Sequence, residues 1–248
     1  EGCDLDWRNA PLRNSDHQGV WKIRNCRHWG YFLASCKSIS FENSILVGSH
    51  SCVTFSRSCT DATFDNCLIR YEGGFLATDS PQLHLKLNNC TFHVFGHGTA
   101  GLIHEWGPTL GADTQLTVEA TGNVFNCRLA AGQWIPQSSQ SKVHWVGKEN
   151  LFSGRWYDEY ELDGDESKLT GSGLNAWNNW LKTPEKDSRE VPELALEWGR
   201  VQHLDGPEFQ QGVKEQVEQI KLREQLTDVD FDWDIIGPGD AYVRALAA

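Results

Sequence analysis

The stretch FLASCKSISFENS at residues 32–44 is followed 23 residues later by FSRSCTDATFDNC at residues 55–67. When the two are overlaid, identical residue types coincide at five places: Phe32 with Phe55, Ser35 with Ser58, Cys36 with Cys59, Phe41 with Phe64, and Asn43 with Asn66. A repeat of twenty-odd residues is typical of a fold in which similar units stack on one another. The interval therefore predicts an architecture and leaves the activity open.

The repeat extends in both directions. VWKIRNC (residues 20–26) precedes it and QLHLKLNNC (82–90) continues it, while LTVEATGNVF (116–125) and VHWVGKENLF (143–152) are weaker copies aligned on Phe92, Phe125 and Phe152. One column of equivalent positions has intervals of 18, 23, 23, 33 and 27 residues and contains Cys26, Ser44, Cys67, Cys90, Asn123 and Asn150.

Apolar and polar residues alternate with period two in SISFENS, DATFDNC and LHLKLNN, which predicts strands rather than helical or leucine-rich repeats. An Asn closes each unit, and Asn tolerates the left-handed backbone of a sharp corner. We therefore expect parallel strands about 4.8 Å apart, a ladder of corner Asn side chains, and Phe41 and Cys67 lying on Phe64 and Cys90. A β-sandwich with coincidental spacing is the alternative.

Helical spacing replaces this alternation in the last part of the chain. LNAWNNWLK (174–182) and PEFQQGVKEQVEQIKLREQL (207–226) predict two helices, joined by a polar connector at about 183–192. We expect a parallel β-solenoid of about five to six coils over residues 1–155. An acidic, partly helical segment at 156–248 would pack on it or cap it, with Trp177, Trp180 and Trp198 in the contact.

Charge and composition narrow the classes of partner. Residues 1–150 carry 12 Lys and Arg against 13 Asp and Glu, whereas residues 151–248 carry 10 against 21, so almost all of the net charge of −12 lies in the last part. The absence of a basic stripe disfavours nucleic acid and anionic membrane surfaces as partners. No apolar run approaches the roughly 20 residues of a membrane-spanning helix, so we expect no membrane insertion. The chain contains no Met and begins without a basic-then-apolar leader, which suggests a processed or excised fragment.

All eight cysteines precede residue 128 and none forms a CxxC pair. Zinc sites need closely paired ligands, so we expect buried free thiols that pack as small apolar side chains, although an even number also permits disulfides. Free thiols favour a cytoplasmic location, and an upstream anchor or leader would favour the cell surface or periplasm.

The Asn- and Cys-cornered repeats resemble right-handed parallel β-helices of the pectin-lyase-like type. VHWVGKENLFSG, the helices, and DVDFDWDIIGPGDAYVRAL (residues 228–246) resemble a region C-terminal to the kinase domain in some large bacterial serine/threonine kinase proteins. The second resemblance implies a non-catalytic sensing, binding or scaffold module. This chain contains no glycine-rich loop, no His-Arg-Asp loop and no Asp-Phe-Gly, so we expect no kinase activity.

A carbohydrate-active β-helix is the alternative function. FGHGTAG contains Gly96-His97-Gly98, which is similar to a motif of β-helical polygalacturonases, and Asp79 precedes His97 by 18 residues, close to one repeat. Asp65 is the third candidate, although carboxylates at such corners often only cap turns. Inverting glycoside hydrolysis needs an acid and a base carboxylate about 6.5 to 9.5 Å apart, and no Asp-Asp or Asn-Thr-Asp pair is present.

Each candidate metal or ligand residue could instead have an ordinary role at the surface or in the core. His93, His97 and His104 would share one face only on a helix, so we expect surface imidazoles. The run Asp228, Asp230, Asp232 and Asp234 lacks the Gly and Glu of an EF-hand loop, so we expect no metal and no cofactor. Eleven tryptophans could supply sugar-stacking rings, with Trp29, Trp106 and Trp134 as the candidates, or they could fill the core. We predict a binding or scaffold module whose ligand is a protein or a carbohydrate.

Overall fold

The computed structural model describes residues 2, 4–14, 18–48, 51–71, 74–94, 101–103, 113–126, 142–153, 173–191 and 215. This part of the chain is mainly β, with seventeen strands and one helix, α1 (Gly173–Leu181). The strands are β1 (Asp4–Asn14), β2 (Val20–Arg24), β3 (Arg27–Ala34), β4 (Ser38–Glu42), β5 (Ile45–Gly48), β6 (Ser51–Phe55), β7 (Asp61–Asp65), β8 (Leu68–Tyr71), β9 (Gly74–Thr78), β10 (Gln82–Asn88), β11 (Thr91–Val94), β12 (Gly101–Ile103), β13 (Gln115–Thr121), β14 (Val124–Asn126), β15 (Val143–Lys148), β16 (Leu151–Ser153) and β17 (Arg189–Val191).

The strands form two sheets, and every strand pair is parallel. Sheet B has six strands in the order β2-β4-β7-β10-β13-β15. Sheet A has eleven and follows the order β12-β9-β6-β3-β5-β8-β11-β14-β16-β17, with β1 also paired to β3. The first part of β3 pairs with β5 and its last part pairs with β6. β3 therefore connects the strands β6, β9 and β12 to the strands that continue from β5 to β17. Along the chain, each strand of sheet B is followed by one or two described strands of sheet A, which is why neighbours in space are about one repeat apart in sequence.

The predicted stacking of like side chains is confirmed in the core. Phe41 pairs with Phe64 in register, and their rings stack with centroids 4.9 Å apart and planes 6° apart. A second column contains Phe92, Phe125 and Phe152, with centroid distances of 4.9 and 5.2 Å. Rings from the two sheets meet edge to face, as Phe64 and Phe75 do at 5.1 Å. Inward side chains of both sheets therefore make one continuous apolar core.

The predicted Asn corners are also confirmed. Asn25, Asn43, Asn66 and Asn89 all have φ between 46° and 56°, the left-handed conformation that Asn tolerates. The Asn43 Nδ2 donates to Asn25 Oδ1 at 3.0 Å, and Asn66 Nδ2 donates to Asn43 Oδ1 at 3.1 Å. Gly122, with φ 66°, occupies the next position of this column. A Cβ there would lie 2.4 Å from Asn89 Oδ1, so a side chain at this position would clash with Asn89.

The column that starts at Cys26 forms a second ladder just after the corners. The Cys26 N–H donates to Ser44 Oγ at 3.1 Å, the Cys90 N–H to Asn123 Oδ1 at 2.9 Å, and the Asn123 N–H to Asn150 Oδ1 at 2.9 Å. The Asn150 N–H donates to Ser188 Oγ at 2.9 Å, so the ladder gains a member 38 residues further on. Parallel pairing thus continues beyond residue 155 through β17.

One part of the sequence overlay is wrong. Phe32 pairs with Val53 rather than Phe55, which lies opposite Ala34. The turn at Arg57 and Ser58 adds two residues before the units come back into step at Cys59, where the predicted offset of 23 residues holds. Both Phe rings are nevertheless buried, because Phe32 and Phe55 sit on the same inward face of sheet A.

The cysteine prediction is confirmed for the cysteines that the structure describes. All six are buried and form no disulfide: Cys26, Cys36, Cys52, Cys59, Cys67 and Cys90. Thiols at the corners donate to nearby backbone carbonyls, as Cys90 Sγ does to the Asn88 oxygen at 3.2 Å. Burial raises the pKa of the Cys52 and Cys90 thiols, so both stay protonated at neutral pH. Cys3 and Cys127 lie outside the described residues.

The helix predicted at 174–182 is confirmed as α1, and Trp177 on it is fully buried against Trp145 at a centroid distance of 5.3 Å. The second predicted helix lies outside the described residues, apart from Glu215, which is helical. Trp198 and the segments 154–172 and 192–214 also lie outside them, so the capping role of residues 156–248 stays a prediction. In the part of the chain that is described, no helix is long and apolar enough to cross a membrane.

Candidate functional site

In the part of the chain that the structure describes, the outer face of sheet B is accessible to solvent along β7, β10 and β13. Strands β5 and β8 of sheet A are buried at every residue, so both faces of that sheet are covered there. In β7, β10 and β13 of sheet B, buried inward residues alternate with outward residues that keep contact with solvent. Among the described residues, these outward side chains of sheet B are the ones that a ligand can contact from solvent.

The register aligns the outward residues of sheet B in rows that cross the strands. One row contains Val20, Ser38, Asp61, His84, Thr117 and His144, and the next contains Lys22, Ser40, Thr63, Lys86, Glu119 and Val146. A third contains Arg24, Glu42, Asp65, Asn88, Thr121 and Lys148. Because parallel strands lie about 4.8 Å apart, the polar members of each row offer hydrogen-bonding groups at that interval, and the edge residues Val20 and Val146 are apolar.

An open groove of about 500 Å³ lies at the start of β7, β10 and β13. Its lining is polar except for Leu83 and contains Thr60, Asp61, Gln82, His84, Gln115, Thr117 and Glu119. Gln82 and Gln115 are directly paired neighbours, and both side chains are exposed. We call this feature the sheet B groove. It combines hydroxyl, amide, carboxylate and imidazole groups on three adjacent strands.

His84 lies between two carboxylates in the sheet B groove. Its Nε2 donates to Glu119 Oε1 at 2.8 Å, and its Nδ1 is 3.9 Å from Asp61 Oδ1. Glu119 also faces Lys86, with Nζ and Oε2 3.5 Å apart. Thr60 Oγ1 donates to Asp61 Oδ2 at 2.7 Å. Both carboxylates are thus held in place by neighbouring side chains.

These contacts set the protonation of Glu119. Partial desolvation raises the pKa of Glu119, but the hydrogen bond from His84 and the charges of His84 and Lys86 outweigh it and leave the pKa below its usual value. Glu119 is therefore ionised at neutral pH. It can accept hydrogen bonds there, and it is poorly suited to donate a proton as a general acid.

The structure separates two of the predicted catalytic residues. Asp79 is exposed at the corner after β9, where its N–H donates to the Phe55 oxygen at 3.3 Å. Asp65 is half-buried at the far end of β7, and desolvation together with the charge of Glu42 raises its pKa. The five residues of β7 span about 13 Å, so these two carboxylates flank opposite ends of the strand. His97 lies outside the described residues.

Of the three tryptophans predicted to bind a ligand, the structure describes Trp29. Trp29 is half-buried on β3 of sheet A, while Trp106 and Trp134 lie outside the described residues. Trp145 and Trp177 are fully buried, in agreement with the alternative that these rings fill the core. Trp21 is 38% exposed on β2, at the edge of sheet B.

Among the described residues, no group of three or more His, Cys, Asp or Glu side chains could hold a metal ion. His93 is only partly buried, but desolvation and the neighbouring Arg70 lower its pKa to about 3, unlike the surface imidazole expected from the sequence. His104 and the acidic run from Asp228 to Asp234 lie outside the described residues.

Glu185 is the residue whose role the sequence pattern misses most completely. Its buried carboxylate accepts hydrogen bonds from Trp145 Nε1 at 2.5 Å, Asn150 Nδ2 at 2.9 Å and Ser188 Oγ at 2.6 Å. Gly147 leaves the room, since a Cβ there would lie about 2 Å from the carboxylate. Glu185 thereby ties the polar connector to the last strand of sheet B.

The groove residues His84, Gln82, Gln115 and Glu119 were also absent from the sequence-based candidates. The signal that could have found them is the register itself, because aligning Asn66, Asn89 and Gly122 places His84 beside Asp61 and Thr117. Comparison with protein-family models, curated proteins and solved structures finds no match, so the geometry is the basis for any functional assignment.

Proposed function

We propose that this chain is a non-catalytic binding module that holds an extended polysaccharide on the outer face of sheet B. The open sheet B groove carries the proposal, because each of its three strands presents polar side chains at the spacing of the sheet. A polymer laid across the strands would meet a polar side chain at each strand, and a pyranose unit of an extended glycan is about as long as the strand spacing of roughly 4.8 Å.

The proposal includes the finer fold, a right-handed parallel β-helix with a partly helical C-terminal segment. It is supported by parallel pairing at intervals of one repeat, by the left-handed corner residues and by the stacked Phe columns. Parallel strands joined by crossover connections are right-handed almost without exception, which supports the hand. The resemblance to the region that follows some bacterial kinase domains supports a module of a larger protein.

The chemistry of the groove favours binding over turnover. Glycoside hydrolysis needs one carboxyl group that is protonated and one that is ionised. Glu119 has a lowered pKa and is engaged by His84 and Lys86, so it does not supply the acid. Asp61 is exposed and bonded to Thr60. Two carboxylates fixed by neighbours are instead suited to accept hydrogen bonds from hydroxyl groups.

A carbohydrate-active enzyme is the second candidate, and the raised pKa of Asp65 is the observation that favours it. Asp65 would be the acid, and Asp79 and His97 would complete the set predicted from the sequence. The distance along β7 between Asp65 and the corner of Asp79 weighs against a paired mechanism.

A panel of soluble polysaccharides distinguishes the two candidates. We expect saturable binding of at least one of them by isothermal titration, with no new reducing ends and no unsaturated products after prolonged incubation. The double variant Gln82→Ala/Gln115→Ala should weaken binding at least tenfold, while Ser40→Ala, on the same face but outside the groove, should not. Product formation that Asp79→Asn abolishes would establish the enzyme instead, and a panel without any binding would refute both.

A further inference from the structure

We propose that the sheet B groove selects neutral glycans and rejects uronic-acid polymers, with Asp61 and Glu119 as the specificity-determining residues. The inference rests on the proposed function and names its ligand class. The lining contains two carboxylates, one imidazole and neither Lys nor Arg. Anionic ligands are normally held by Arg or Lys, so a polymer that carries carboxylates would meet like charge here.

The neighbouring cation does not relieve this repulsion. The Lys86 ammonium lies beside the lining and faces the Glu119 carboxylate at 3.5 Å. His84 donates to the same carboxylate at 2.8 Å. A uronate entering the groove would therefore compete with Glu119 for its partners and would also approach Asp61. Like-charge placement of this kind is a common way to exclude a wrong ligand.

Hydroxyl groups match the same side chains well. The carboxylate oxygens of Asp61 and Glu119 accept hydrogen bonds, and the Gln82 and Gln115 amides both donate and accept. Thr117 adds a hydroxyl on β13 between the Gln115 and Glu119 positions. A neutral sugar offers donors and acceptors on every unit and brings no charge to desolvate. The groove can thus satisfy a neutral glycan without leaving a buried charge unpaired.

The acceptors are already oriented before any ligand arrives. Thr60 holds Asp61, while His84 and Lys86 hold Glu119. Preorganised groups lose less conformational entropy on binding. The groove lining contains no Phe, Tyr or Trp on which a sugar could stack, and the His84 imidazole is engaged by Glu119, so affinity comes mainly from hydrogen bonds on several strands. We therefore expect hexasaccharides to bind more tightly than trisaccharides of the same sugar.

The test is titration of the full chain with cellohexaose, xylohexaose and mannohexaose as neutral probes and with hexagalacturonate as the acidic probe, by calorimetry and by amide chemical shifts. We expect at least one neutral probe to bind ten times more tightly than hexagalacturonate and to shift amides of β7, β10 and β13. The double variant Asp61→Asn/Glu119→Gln, which preserves shape, should reduce that preference at least tenfold by admitting hexagalacturonate.

A matched control removes a carboxylate from the same face outside the groove. Glu42 on β4 is exposed and paired with Arg24 at 2.7 Å, so Glu42→Gln should leave the preference unchanged. Equal or tighter binding of hexagalacturonate to the natural chain, at the groove amides, would overturn the inference and leave the proposed binding function standing. Absence of any shift in β7, β10 and β13 with all four probes would overturn both.

Discussion

His93 is a single residue that makes the stability of sheet A depend on pH. It lies on β11 opposite Arg70 of β8, and desolvation together with that cation lowers its pKa to about 3. An unfolded His has a pKa of about 6.5. Between these values the unfolded chain binds a proton that the folded chain does not. The contribution of neutral His93 to the free energy of unfolding is therefore complete above pH 6.5 and declines as the pH falls toward 3.

We accordingly predict that His93 lowers the free energy of unfolding by up to about 1.4 kcal/mol for each unit by which the pH falls. Urea unfolding at pH 7, 6, 5 and 4 measures this loss. The variant His93→Gln should remove that part of the slope. His144→Gln changes an exposed His on sheet B and serves as the control. If the His93→Gln profile stayed parallel to that of the natural chain, His93 would not be held neutral in the folded state.

Single residues also show what the sequence can and cannot predict. The corner Asn positions were predictable because a positive φ restricts the residue type at each corner, independently of its neighbours. Glu185 was not, because its partners Trp145 and Asn150 are 40 and 35 residues away and its own surroundings in sequence are simply polar. Local conformational restrictions leave a signal in the sequence, whereas a contact across a long interval leaves one only where it recurs with the repeat, as the Phe41 and Phe64 stack does and the Glu185 contacts do not.

At the scale of elements, the corners between strands depend on two separable properties of Asn. Asn66 has φ 51° and donates to Asn43 at 3.1 Å. Gly would keep the backbone conformation without the ladder bond, and Ala would lose both. We predict that Asn66→Gly costs about 1 kcal/mol for the bond, and that Asn66→Ala costs about 1–2 kcal/mol more for the left-handed conformation.

Chemical denaturation of the natural chain and both variants measures these costs. The natural chain should be the most stable, followed by Asn66→Gly and then by Asn66→Ala. Ser40→Ala on the outer face of the neighbouring strand β4 is the control, and it should change stability by less than about 0.5 kcal/mol. If the Ala variant were as stable as the Gly variant, the left-handed corner would carry no energetic cost.

The strands of sheet B were predictable as elements, whereas those of sheet A were not identified one by one, and pairing was predictable where the units have equal length. Alternation identified β4, β7, β10, β13 and β15, and the 23-residue offset gave the register of β4 on β7. The offset failed for β3 on β6 because the turn at 57–58 changes the length of the unit. The groove was missed for a related reason: its residues come together only once the 33-residue unit between β10 and β13 has been placed in register.

At the scale of the whole molecule, the two ends of sheet B differ. At one end, β15 is covered by α1 through Trp177 and is tied to the connector by Glu185. At the other end, the edge strand β2 leaves Val20 63% and Trp21 38% exposed. Within each sheet, strands bond only to their neighbours. A loss of stability at one end should therefore reach the other end only through the successive strand pairs between them.

We predict that Trp177→Ala, which removes a fully buried ring, costs about 3–5 kcal/mol and loosens the fold from one end. Hydrogen exchange should accelerate most in β15 and β16, less in β13, and least in β4 and β2, because each strand pair transmits only part of the loss. Trp21→Ala is the matched control at the opposite end. Its ring is partly exposed, so it should cost less than half as much and should loosen β2 and β4 first. Equal acceleration in all strands of sheet B for both variants would mean that the molecule unfolds as one cooperative unit and that its ends are not independently secured.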